Sequence, residues 1–280
     1  MIIQNELCTV EISEHAAEIT SFRDAKTGRE YMWQGDATYW SGRNPILFPM
    51  VGNTYSKTYE IDGKTYAMGN HGVARNATFT CVNEEKNRIV MRLESSADTL
   101  AVYPFPFCLD VSYTLCGTTL QIEYHITNTG DRDMPFSFGL HPAFRCPLDE
   151  GEDFRDYRIE LACAEKVKRF DFEQERFVRE DAWTKSFALD YDVLFKTIML
   201  EGFNSPYVQL TNGKHGVEVS CAGYRWIAFW TKPNAPFVCL EPWHGLGDRK
   251  PNNLPFDKRP GTMSLAGGHT YTTSYSIRIF

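Results

Sequence analysis

The sequence predicts an all-β fold, a large antiparallel sheet system closed as a sandwich or a barrel. Three observations carry that prediction. Apolar and polar residues alternate with a period of two from end to end, short turn motifs separate the alternating runs, and aromatic residues make up 14% of the chain. With 280 residues, 42% of them apolar, the chain can bury a large core as one domain or as two smaller units, and length does not choose between them.

In chain order, "CTVEIS" near residue 10 is the first alternating run, followed by the turn motifs "KTGRE" and "DGKT". "NRIVMRLES" near residue 90 and "FCLDVSYTL" near residue 110 continue the pattern. In "TLQIEYHIT", Leu120, Ile122, Tyr124 and Ile126 share one face while Gln121, Glu123, His125 and Thr127 share the other, the signature of a half-buried strand. The turn "NTGDRD" follows, and "TNGKHG" separates it from "HGVEVSC", "WIAFW" and the C-terminal "YTTSYSIRIF". Between Glu150 and Asp192 the chain is charge-rich and irregular. "CAEKVKRFDFEQER" is its one candidate helix, and the stretch is expected to be an excursion from the sheets and not a second domain. No repeat of 20 to 50 residues is evident, which weakens propeller and solenoid folds.

Composition excludes several functions. A net charge of -7, from 29 Lys and Arg against 36 Asp and Glu, is the wrong sign for nucleic-acid binding. The start, "MIIQNELCTVEISEH", has no basic segment leading into an apolar stretch, and no window approaches the roughly 18 apolar residues of a membrane span. A soluble, cytoplasmic protein is expected, without membrane or nucleic-acid partners. The eight cysteines form no C-x-x-C pair, several lie within apolar alternations, and all are expected to be free, buried thiols. Zinc, EF-hand, P-loop and dinucleotide motifs are missing, so no metal or cofactor is expected.

Four stretches could carry chemistry. In "FSFGLHPAF", parity sets Phe136, Phe138 and Leu140 on one face and Ser137, Gly139 and His141 on the other; the small neighbours suggest open space beside the imidazole, and Pro142 ends the strand. His141 is either a hydrogen-bonded structural imidazole or a proton donor. In "FVCLEPWHGLGD", Phe237 and Cys239 share parity with Glu241, which is expected at the strand's end, where partial burial would make it a stronger base. Its alternative is a turn carboxylate. "GNHGVARN" holds His71 in a glycine-flanked turn with Arg75 four residues on, and "SGRNPILFPMVGN" places Arg43 before an apolar segment. Each guanidinium is either paired to an acid or free to bind sugar hydroxyls or phosphate. One imidazole, one carboxylate and polar donors suit cofactor-free acid/base chemistry on a neutral polar substrate.

In this order, "GRNPILFPMVGN", "HGVARN", "FGLHPAF" and "CLEPWHG" resemble the aldose 1-epimerase (galactose mutarotase) superfamily, and most of all its LacX-type branch, from about residue 7 to 280. The resemblance implies a galactose mutarotase-like β-supersandwich, one domain over residues 1–280, with a sugar site on the concave sheet and interconversion of the α and β anomers of a free aldose. It implies His141 as general acid, Glu241 as general base, His71 as a second imidazole on the sugar, and Arg43 as a hydroxyl-binding guanidinium. Asp192, in "YDVLF", corresponds to the family's aspartate, and Trp243 is a candidate to stack on the sugar's C–H face. Two departures, "HGVAR" for His-Gly-Gly and "PAF" for Ser-Tyr-Phe, point to the LacX-type and hexose-6-phosphate epimerase branches. In the latter, Arg43 and Arg75 would form a phosphate-binding pair. A non-catalytic carbohydrate-binding protein on the same sandwich is the other alternative, as monomer or homodimer; a glycoside hydrolase would need a second carboxylate.

Overall fold

The computed structural model describes residues 1–248 and 254–280. Two large antiparallel sheets dominate it. The nine-stranded sheet runs, edge to edge, Thr184–Ala188, Arg158–Glu165, Tyr207–Thr211, Gly216–Ser220, Thr270–Ile279, Thr119–Asn128, Phe107–Cys116, Arg88–Glu94 and Thr80–Glu85. The second sheet runs Arg176–Arg179, Lys168–Asp171, Ile198–Glu201, Trp226–Trp230, Phe237–Trp243, Gly139–Leu140 and Ile46–Leu47, with Ala143–Arg145 also paired to Phe237–Trp243.

The alternating pattern explains both. Leu120, Ile122, Tyr124 and Ile126 are buried as their parity predicts, and Phe107–Cys116 folds back on their strand through the two-residue turn Gly117-Thr118. Thr270–Ile279 pairs on the other side, with Ile277 opposite Leu120 and Tyr275 opposite Ile122. The inner faces of both sheets meet in one apolar cluster that takes Leu120 and Ile122 from one, and Ile227, Phe229, Val238 and Leu240 from the other. The opposite parity of the second sheet is apolar too: Met199, Trp226, Ala228 and Trp243 form one patch on its outer face, and Phe237 and Cys239 belong to another with Trp33 and Ala143. A sheet covered on both faces can carry a buried polar group on its outer side.

Four expectations are corrected. "CAEKVKRFDFEQER" is not helical: Arg158–Glu165 belongs to the nine-stranded sheet, while Lys168–Asp171 and Arg176–Arg179 form a hairpin at the edge of the other. The hairpin turn is closed by Asp171, whose carboxylate accepts from the amides of Glu173 and Gln174. Every residue of these two edge strands is half-buried or exposed, so no alternation marks them. The stretch is thus part of both sheets and not an excursion. All eight cysteines are free as expected, but Cys116 and Cys163 are exposed and Cys81 and Cys108 half-buried. Glu241 lies inside Phe237–Trp243 and not at its end. Among the described residues no helix is long and apolar enough to cross a membrane.

Candidate active site

The site grows from one register position on the outer face of the second sheet. Within Phe237–Trp243, odd-numbered residues point outward, and Glu241 stands opposite Ala228 on the next strand, a side chain short enough to leave room above it. On the other side, Gly139 is paired with both Trp243 and Leu47, and the chain then leaves the ladder at His141 and Pro142. The Leu240 amide donates to the Pro142 carbonyl, which ties the His141 corner to the strand carrying Glu241. His141 Nε2 consequently sits 3.2 Å from Glu241 Oε2.

The space beside His141 is not open as parity suggested. A Cβ on Gly139 would lie 2.8 Å from Trp243 Cδ1 and 2.9 Å from a Val51 methyl, and the Ser137 hydroxyl accepts from the Val51 amide. The glycine is there because tryptophan and valine fill its side-chain position. Room for a ligand lies instead in a cleft of about 280 Å³ lined by Trp40, Asn70, His71, Arg75, His141, Thr197, Trp230, Glu241 and Trp243.

His71 stands with its ring 5.6 Å from that of His141, nearly perpendicular. Its backbone is left-handed, at φ 65°, and its amide donates to the Gly52 carbonyl while its Nδ1 accepts from the Gly52 amide. The lone pair is therefore on Nδ1 and the proton on Nε2. Gly72 follows because a Cβ there would lie 2.3 Å from the Phe48 carbonyl oxygen. Trp40 and Trp230 complete the walls around His141, with ring centroids at 4.8 Å and 5.7 Å.

Burial polarises the central pair. Glu241 is 1% exposed and its carboxyl is driven well above the usual carboxylate range by desolvation, which the Trp243 indole offsets in part. His141 is 8% exposed, and desolvation, aided by the Arg75 charge, pushes its imidazole down to about 3. Both shifts favour the neutral form of the pair, with the proton on the carboxyl and the imidazole unprotonated. Their contact is close but does not close an aligned hydrogen bond, and among the described residues Glu241 Oε2 makes no other one of good geometry. Burial, with the neighbouring His141 and Arg75 charges, also takes His71 well below its ordinary value.

Of the residues singled out from sequence, His141, Glu241, His71, Arg75 and Trp243 line this one cleft, and Arg43 and Asp192 do not. Arg43 is engaged elsewhere: its Nη1 lies 3.8 Å from Glu18, its Nε donates to the Gln34 carbonyl, and its own amide donates to the Glu18 carboxylate. The arginine pair is therefore split, since the buried Glu18 claims the Arg43 guanidinium. Arg75 has no carboxylate within 4.0 Å among the described residues, and its Nη1 makes a long bond of 3.4 Å to the Asn70 carbonyl. Asp192 is exposed in the short helix Tyr191–Phe195, whose first turn is capped by Asp190; the segment reaches the cleft only at Thr197. Trp40, Asn70 and Thr197 went unmarked because they come from loops without periodicity. Trp230 had a signal, since in "WIAFW" it shares parity with Ala228.

A buried imidazole–carboxylate pair in a cleft on the outer face of one large antiparallel sheet defines a class, the galactose mutarotase-like β-supersandwich proteins. The chain belongs to the aldose 1-epimerase family, whose model matches residues 1–278. It is similar to the chromosomal protein LacX of Lactococcus lactis subsp. lactis, at 32% identity over 99% of this chain and 98% of that protein. A galactose mutarotase related enzyme from Lactobacillus acidophilus is 31% identical, with a TM-score of 0.91 over 100% of this chain and 97% of that one. A galactose mutarotase-like protein from Lactobacillus casei ATCC 334 is 27% identical, with a TM-score of 0.92 over 100% and 99%. The protein is accordingly an isomerase acting on carbohydrates.

Proposed function

We propose that the protein is a cytoplasmic aldose 1-epimerase that interconverts the α and β anomers of a free hexose, with Glu241 as general base and His141 as general acid. The observation that carries this is the His141–Glu241 contact of 3.2 Å at the floor of the cleft. Sugar hydroxyls entering the cleft donate to the carboxylate and favour its ionised form, which leaves the shared proton on His141. Glu241 then takes the O1 proton, the O1 electrons form the C1=O1 double bond, and the C1–O5 bond breaks with its pair going to O5, which takes the His141 proton. The open-chain sugar now faces a neutral imidazole and a protonated carboxyl, the state that burial favours, so the low dielectric lowers the intermediate relative to the closed ring. Rotation about C1–C2 and the reverse transfers give the other anomer. His71 offers an Nε2–H donor to the sugar, Arg75 binds its hydroxyls, and Trp243 faces its C–H surface.

A free sugar is favoured over a hexose 6-phosphate because the second guanidinium of the pair, Arg43, is already matched by Glu18, whose charge also acts on Arg75. Polarimetry on freshly dissolved α-glucose, α-galactose and their 6-phosphates tests the assignment. His141→Ala and Glu241→Ala are each expected to fold and to lose about 10²- to 10⁴-fold in kcat. Wild-type rates in either variant would overturn the roles. Tight sugar binding without accelerated mutarotation in the unmodified protein would favour a carbohydrate-binding function, and turnover of the phosphates alone would favour the phosphate reading.

A further inference from the structure

Below the acid/base pair lies a third potential ligand. Cys239 occupies the same outer face of the strand as Glu241, two residues before it, and is fully buried. The Sγ of Cys239, a ring nitrogen of His141 and a carboxylate oxygen of Glu241 all lie within 4.8 Å of one another. We propose that Cys239, His141 and Glu241 form a binding site for a soft divalent cation of the zinc class, and that occupation of this site switches off the isomerase.

The donor set is one sulfur, one nitrogen and one oxygen, with the cleft open to His141 and Glu241 and the sulfur buried beneath them. That is the pattern of a zinc site with three protein ligands and a fourth position for water, and thiolate with imidazole selects against magnesium and calcium. Two further observations point the same way. Glu241 Oε2, in a residue 1% exposed, completes no aligned hydrogen bond among the described residues although His141 Nε2 lies 3.2 Å away, so its lone pairs are not fully used. The other grouping of this kind among the described residues, Asp149, Glu152 and His215, has its donors taken by Arg29, Tyr157 and Asn212 and offers no such vacancy.

The same geometry makes the ion an exchangeable inhibitor and not a resident cofactor. Tetrahedral zinc with bonds of about 2.0–2.3 Å sets its ligand atoms roughly 3.5 Å apart, so the trio, within 4.8 Å of one another, has to draw in by up to about 1.3 Å. His141 Nδ1 has no side-chain acceptor to orient the ring and raise its basicity. Binding forms three bonds to the metal and releases two protons, one from the Cys239 thiol and the one that His141 and Glu241 share; no electron is transferred. With that proton gone and both lone pairs on the ion, neither transfer to the sugar can occur.

The inhibitory half of the proposal rests on the mutarotase reading; the binding half does not. Cobalt(II) added to the full-length protein is expected to give a thiolate-to-metal charge-transfer band at one equivalent, which zinc then displaces, with about two protons released at pH 7 by calorimetry in buffers of different ionisation enthalpy. In Cys239→Ala, and in Cys239→Ser as a second variant, the band is expected to vanish and the zinc inhibition constant to rise at least about tenfold, with metal-free kcat unchanged. Persistence of the band in both variants, undiminished zinc inhibition, or no cobalt binding by the wild type at millimolar concentration would overturn the site. A band that disappears with Cys239 while no aldose is turned over by the metal-free protein would uphold the site and reject the mutarotase reading instead.

Discussion

His141 and Glu241 are driven in opposite directions by the same burial, and this sets an expectation for the pH–rate profile. An imidazole at its ordinary value would switch near pH 6.5. Here the pair keeps its single proton from about 3, where His141 would take a second one, to well above the usual carboxylate range, where Glu241 would lose the one it has. The enzyme-catalysed part of kcat/KM, which reports the free enzyme, is therefore expected to pass through pH 6.5 without a step, and a step there after subtraction of the spontaneous rate would refute the shared-proton account. Thr197 offers a second test. It is β-branched yet held at φ 68°, a conformation that costs about 1–3 kcal/mol, and it lines the cleft. Thr197→Gly is expected to raise the urea midpoint while raising KM, whereas Thr197→Ser keeps KM near wild type; a glycine variant with unchanged KM would make the strain purely structural. Both catalytic residues were legible because strand parity fixes where an odd-numbered side chain points. Parity says nothing about Arg43 or Asp192, since a loop arginine can turn to the nearest buried acid and a residue in a short capped helix can face solvent.

Elements were legible to the extent that one face of a strand is dry and the other wet. Thr119–Asn128 meets that condition and its four buried apolar residues were predicted one by one, with the buried Asn128 beyond the alternating run, while the edge hairpin Lys168–Arg179 does not and was mistaken for a helix. What holds that hairpin in the sandwich is a buried acid just before it. Glu165 is 4% exposed at the end of Arg158–Glu165, and its carboxylate accepts from the Asn204 amide and side chain and from the Ser205 amide and hydroxyl. The chain then crosses to the other sheet through the buried Val167. Glu165→Ala leaves several of these donors without an acceptor, each worth about 1–3 kcal/mol, so a loss of at least about 2 kcal/mol in urea unfolding is expected. Limited proteolysis is expected to cut first within residues 166–206. A variant as stable as wild type would show that water replaces the carboxylate there.

Across the whole molecule, the buried imidazoles and the buried carboxyl decide how stability depends on pH. His71, His141 and His244 are all depressed by desolvation, His244 to about 4 and His141 to about 3, whereas in the unfolded chain each takes its proton near 6.5. Below pH 6.5 the unfolded state therefore binds three protons that the folded state refuses, and stability falls as the pH falls. Glu241 has the opposite sign: folded, it keeps a proton that the unfolded chain releases above about 4.5, so its contribution falls as the pH rises. Between about pH 5 and 6.5 the three imidazoles outweigh the one carboxyl, and from about 6.5 to 7.5, below the range in which the buried cysteines would ionise in the unfolded chain, the sign of the carboxyl prevails. A maximum near pH 6.5 is expected, with the unfolding free energy dropping more steeply on the acid side, where three imidazoles act, than on the alkaline side, where one carboxyl does. Urea titrations followed by tryptophan fluorescence at half-unit steps from about pH 5 to 7.5 read both slopes. In Glu241→Gln the alkaline slope is expected to flatten and the acid slope to steepen, because the glutamine no longer binds the proton that offset one imidazole. A plateau above pH 6.5 in the wild type would mean that Glu241 is ionised in the folded protein, and the assignment of the shared proton to its carboxyl would fail with it.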